Sequence, residues 1–148
     1  MNICAANEGG RPLSRTALKP GLTAEREVTV SEPLLAGSVG SGDVAVLATP
    51  MMIAGMEAAA AAAVADTLSP GQTTVGARVN VKHLAATPPG MSVRFRAELV
   101  AVSPNGKGLS FRVEARDEAG LVGEGTHERV IVNHASFERG ALARKERN

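Results

Sequence analysis

A chain of 148 residues, 44% apolar and 21% charged, is long enough for one hydrophobic core and too short for two. Its formal net charge of +1 gives no broad field to recruit nucleic acid or an anionic membrane, and the absence of Trp and Tyr removes most rings on which bases stack. The single cysteine, Cys4, excludes an intrachain disulfide and fits a reducing compartment, so a cytoplasmic protein is expected.

Residues 1–22 begin MNICAANEGGRPLSRTALKPG, without a basic start or an apolar run, and read as a flexible leader rather than a signal peptide. TAEREVTVSE opens the domain as a strand. The loop PLLAGSVGSGDVAV follows; its GSVGSGD matches neither a phosphate-binding loop nor a nucleophile elbow, so its glycines shape the loop. Thr49 then offers an N-cap hydroxyl, Pro50 suits the first helical position, and the alanine-rich run favours a helix ending near Leu68, before the SPGQ turn. Residues 44–65 are almost uncharged. Alanine contributes little transfer energy, however, and Glu57 at mid-span would cost about 2.5–3.5 kcal/mol in a bilayer. A buried helix is expected, with no membrane partner.

After the helix the period changes. In TTVGARVNVKHLA strict alternation sets Val75, Ala77, Val79, Val81 and His83 on one face and Thr74, Arg78, Asn80 and Lys82 on the other. ATPPG breaks the chain. MSVRFRAELVAVS then alternates Met91, Val93, Phe95, Ala97 and Leu99 inward, PNGKG is a hairpin turn, LSFRVEARD alternates again, and LVGEGTHERVIVN is a last strand whose glycines mark close packing. The expected order is strand, loop, apolar helix and a four-stranded meander, with residues 138–148 as a charged tail. One antiparallel sheet wrapped around one helix, an α+β arrangement, buries that helix.

Glu57 is the sole ionisable side chain between Met51 and Ala65, and Ile53, Ala60 and Ala61 offer it no partner on the helix. Its neighbours are apolar on every side, so a carboxylate facing a pocket is expected, with a partner from another element. His83, pointing inward with the valines, is the natural candidate. Pairing the two in a cleft accounts for both.

The runs VGSGDVAVLATPMMIAGMEAAA, GQTTVGARVNVKHLAATPPGM and GEGTHERVIV resemble the fluoroacetyl-CoA thioesterase-like family of hot-dog fold thioesterases across most of residues 25–137. The resemblance implies a hot-dog domain over residues 23–137 and a catalytic group of Thr49, Glu57 and His83. It also implies that Gly76 lines the substrate site, that no metal or cofactor is needed, and that acyl-CoA binds near the interface of a homodimer or dimer of dimers. Strict alternation sets Gly76 opposite His83, so a shared site requires a bulge or a partner chain.

The fluoroacetyl-specific enzyme carries a phenylalanine-bearing lid between its first strand and the helix. PLLAGSVGSGDVAV has no aromatic residue, so no fluorine-selective gate is expected. A small acyl-CoA is the expected substrate. Two alternatives are a non-catalytic acyl-CoA binding protein and a hot-dog enoyl thioester hydratase; the latter usually pairs an Asp with a His about five residues on, and no such pair occurs. The three His and one Cys lack metal-ligand spacing, and His127 reads as structural or interfacial.

Overall fold

The computed structural model describes residues 16–147. In chain order it contains β1 (Thr23–Thr29), a 3-10 turn (Glu32–Leu34), the short helix α1 (Ala36–Val39), the central helix α2 (Thr49–Val64) and a second 3-10 turn (Ala65–Thr67). Strands β2 (Gln72–His83), β3 (Ser92–Val102), β4 (Gly108–Asp117) and β5 (Gly120–Asn133) follow, and helix α3 (His134–Glu146) comes last. Most of the expected leader lies outside the described residues; of its remainder, Leu18 and Leu22 pack against the core, and Leu22 C=O accepts the Leu99 N–H at 2.8 Å. The expected tail beginning at residue 138 is the outer part of α3, which is exposed along its length.

The strands form one antiparallel sheet in the order β1-β3-β4-β5-β2. This corrects the expected meander at one point, because β2 lies beyond β5 and not beside β3. The connection over residues 84–91 contains Pro88 and Pro89, which suit a crossover better than a tight hairpin. It passes over the end of the sheet, where the Leu84 and Ala85 N–H groups donate to Val122 C=O.

Alternation along β3 and β4 sends Val93, Phe95, Ala97, Leu99, Leu109, Phe111, Val113 and Ala115 into the core. They meet Met52, Met56, Ala59, Ala60 and Val64, which helical spacing gathers on one face of α2. Two glycines allow this close contact. A Cβ on Gly55 would overlap the Phe95 ring, and one on Gly123 would come within 2.5 Å of Met52 Sδ.

The sheet covers only one side of α2. Ala54 and Ala58 on the other side are exposed, as is the run Gly76 to Asn80 on the edge strand β2, where Val79 is 39% exposed. An apolar helix flank therefore lies beside an unpaired strand edge. Among the described residues no helix is long and apolar enough to cross a membrane.

Strand β2 carries a bulge. Gly76 pairs with Arg129 and Arg78 with Glu128, which leaves Ala77 as the extra residue. The bulge reverses the inward phase of the first half of the strand, so Thr74 and Gly76 share the core-facing side with Val79, Val81 and His83. Val75 and Ala77, expected on that side, turn away.

Candidate active site

The site begins where α2 begins. Ala48, not Thr49, is the N-cap, and its carbonyl accepts the N–H groups of Met51 and Met52, each at 3.0 Å. Thr49 is the first helical residue and its hydroxyl does not cap the helix. It lies 2.7 Å from His83 Nδ1. Pro50, next in line, contributes no N–H, and the helix start leaves its partial positive charge beside the Thr49 hydroxyl.

His83 closes β2 and is partly buried. Burial holds its pKa below the ordinary imidazole value, an effect the Ala85 backbone partly opposes. Its Nε2 is buried without a hydrogen-bond partner among the described residues. A neutral ring that accepts the Thr49 O–H at Nδ1 carries its proton on Nε2, and such a buried donor calls for an acceptor.

Glu57 does not meet His83 within the chain. Thr49 and Glu57 are separated by about 12 Å of helix rise, and Glu57 lies beside Gly76, near the other end of β2. The expected pairing of Glu57 with His83 is thus absent within the described chain, because helix rise carries the carboxylate away from the end where Thr49 touches the ring. Glu57 Oε2 instead lies 3.7 Å from Arg129 Nη1 and 3.9 Å from His127 Nε2.

Both partners are buried on β5. Arg129 donates from Nε to Thr74 Oγ1 at 2.9 Å and from Nη2 to Thr74 C=O at 3.0 Å, and Nη1 lies 3.2 Å from His127 Nε2. His127 Nδ1 donates to Arg78 C=O at 2.8 Å, which turns Nε2 toward the guanidinium. Burial lowers the Arg129 pKa and the nearby Glu57 raises it; a guanidinium nonetheless stays charged.

Sequence reasoning missed Arg129. The available signal was the alternation of Gly125, His127, Arg129 and Ile131, but Val130 and Val132 are the more apolar set and suggest the opposite face. Gly76 is where the carboxylate comes closest to the strand. A Cβ there would stand 2.5 Å from Glu57 Oε2. Gly76→Ala is expected to displace this flexible side chain and lower turnover at least tenfold with the fold retained, as checked by steady-state kinetics and circular dichroism.

A cleft of about 440 Å³ opens beside Thr49 and His83. It is lined by Ala36 of α1, by Val44 and Val46 of the loop before α2, and by Leu84, Ala85 and Ala86 at the start of the crossover. Among the described residues no phenylalanine lines it. Among the described residues no group of three His, Cys, Asp or Glu side chains converges in a way that would hold a metal ion.

A five-stranded antiparallel sheet curled on one long apolar helix, with polar groups gathered at the helix start and along the edge strand, defines the chain as a hot-dog protein of the thioesterase class. The model of the fluoroacetyl-CoA-specific thioesterase family matches residues 30–135, and the chain belongs to that family. A fluoroacetyl-CoA thioesterase of Streptantibioticus cattleyicolor is 44% identical over 92 residues, a segment spanning 62% of this chain and 65% of the relative's length. Among solved structures, a variant of the fluoroacetyl-CoA thioesterase FlK in complex with fluoroacetate superposes with a TM-score of 0.79 at 31% identity, covering 86% of this chain and 98% of that one. A Thermus thermophilus member of the thioesterase superfamily also gives 0.79, at 34% identity, with 87% and 94% covered.

Proposed function

We propose that the protein is an acyl-CoA thioesterase that hydrolyses a small acyl-CoA to the free acid and CoA, and that it works in the cytoplasm as a homodimer. The observation that carries this reading is the 2.7 Å contact between Thr49 Oγ1 and His83 Nδ1 at the start of α2. A hydroxyl within hydrogen-bond reach of a neutral imidazole is the arrangement of a nucleophile and its base.

Thr49 Oγ1 attacks the thioester carbonyl as His83 takes its proton. The charge that forms on the carbonyl oxygen lies near the positive end of the helix. Collapse breaks the C–S bond, and the sulfur leaves with the proton from the ring. Water then attacks the Thr49 ester, with His83 again as base. The acid departs and the hydroxyl is restored.

Glu57 enters through a second copy of the chain. Antiparallel pairing of two β2 edges centred on Asn80, with Ala77 bulged out of the ladder, sets Gly76 of one chain opposite His83 of the other. The Glu57 beside that glycine then approaches the unpartnered Nε2. The exposed β2 edge and the open apolar flank of α2 support this assembly.

The test is free-thiol release from a panel of acyl-CoAs. Turnover is expected, with less than a hundredfold preference for fluoroacetyl-CoA over acetyl-CoA, since among the described residues no phenylalanine lines the cleft. Binding without thiol release across the panel would instead mark an acyl-CoA binding protein.

A further inference from the structure

The cleft beside Thr49 and His83 is more specific than a general thioesterase reading requires. Apart from Ser41, Asp43 and the Thr49–His83 pair, its lining is apolar, with Ala36, Leu47 and Ala48 buried. Two large apolar residues that line it are exposed in the single chain: Val44, at 61%, on the loop before α2, and Leu84, at 51%, on the crossover. Exposed apolar residues lining a cleft are covered when an apolar ligand fills it. A water molecule occupies roughly 30 Å³ in the liquid, and the methyl of an acetyl group is of similar size. The cleft, at about 440 Å³, offers far more room than that methyl uses.

Charge decides which arm of an acyl-CoA lies here. Among the described residues neither Lys nor Arg lines the cleft, and Asp43 is the one acidic residue that does. A negative lining residue disfavours the phosphates of CoA and equally disfavours an acyl group that ends in a carboxylate. The lining segments are held without a ligand: Ala36 N–H donates to Val46 C=O at 3.0 Å, and Leu47 N–H donates to Thr87 C=O at 2.9 Å. Thr87, buried in the crossover, is in turn tied through its hydroxyl to Asp117 Oδ2 at 2.8 Å. Both the loop and the crossover are therefore preformed at a fixed separation.

We propose that this cleft is an acyl-chain subsite and that the preferred substrates are CoA thioesters of uncharged, apolar acyl groups of about four to six carbons, rather than two-carbon acyl groups. The inference rests on the thioesterase reading of Thr49 and His83 and deepens it.

The experiment is a ladder of kcat/KM values for acetyl-, fluoroacetyl-, butyryl-, hexanoyl- and succinyl-CoA. Burial of one methylene corresponds to about a fourfold gain, so a rise of at least tenfold from acetyl to hexanoyl is expected, with succinyl below butyryl. Val44→Asp, which makes part of the lining polar, and Ala86→Phe, which fills the cleft, should each lower the hexanoyl-to-acetyl ratio at least fivefold. Asp43→Lys should raise the succinyl-to-butyryl ratio. Folding of each variant is checked by thermal melting, and the wild-type ladder stands as a test without them. Highest activity on two-carbon substrates, falling with chain length, would overturn the subsite and leave the thioesterase reading in place. Thiol release from no member of the ladder would overturn the thioesterase reading itself, and the subsite with it.

Discussion

His83→Gln is expected to lower kcat/KM at least about a hundredfold, the lower end of what a positioned general acid or base contributes, and to erase the acidic limb of the pH profile. In the wild type the limb reports protonation of the ring, since only neutral His83 accepts the Thr49 proton. Burial lowers the His83 pKa within the single chain, so activity should rise with pH along an acidic limb whose position balances that burial against the carboxylate brought by the partner. The same displacement affects stability. Because the folded pKa is depressed, the contribution is present above the unfolded value and is lost as pH falls through the folded one. A carboxylate brought to Nε2 opposes burial by favouring the charged ring, so Glu57→Gln should move the limb further down. Retention of near-normal rates and an unchanged profile in His83→Gln would make His83 a core residue, and the base would have to be sought elsewhere.

Glu57→Ala, alone, is expected to reduce turnover by a similar factor with the fold intact, and its combination with His83→Gln tests how the site is assembled. If each site takes Thr49 and His83 from one chain and Glu57 from the other, a mixed dimer of the two variants contains one site in which both groups are present. Random exchange yields half mixed dimers with one such site each, so about a quarter of wild-type activity should return when the two inactive proteins are unfolded and refolded together. Dimer assembly through β2 predicts that outcome, with light scattering reporting a dimer or a multiple of it. A site complete within one chain predicts no recovery, because every chain then carries a lesion. A monomeric active protein would remove the β2 pairing altogether.

Much of the fold was legible because local chemistry and global packing agree. The alternation Val93, Phe95, Ala97, Leu99 marks the inward face of β3, and every one of these residues is buried. The Thr49-Pro50 step located the start of α2 to within one residue. The helix proper stops at Val64, and a 3-10 turn carries the chain on to Leu68, the expected end. The position of β2 was not legible. Neighbours in sequence pair by default in a meander, and nothing in ATPPG states that the chain crosses the sheet and pairs with β5.

The sequence alone determined that one apolar helix needed a sheet to cover it, that Glu57 had no partner on its own helix, and that His83 pointed inward. Each follows from spacing, because helical and strand periods are local properties. Only the tertiary structure decided which groups meet. The Thr49 hydroxyl lies on His83 Nδ1 because the start of α2 and the end of β2 converge. Glu57 lies toward Arg129 and His127 because eight residues of helix rise carry it to the other half of the strand. The bulge at Ala77 turns Gly76 to the core side. One extra residue reverses the phase of everything before it, and a bulge of this kind shows in the pairing of two strands, not in the order of residues along one.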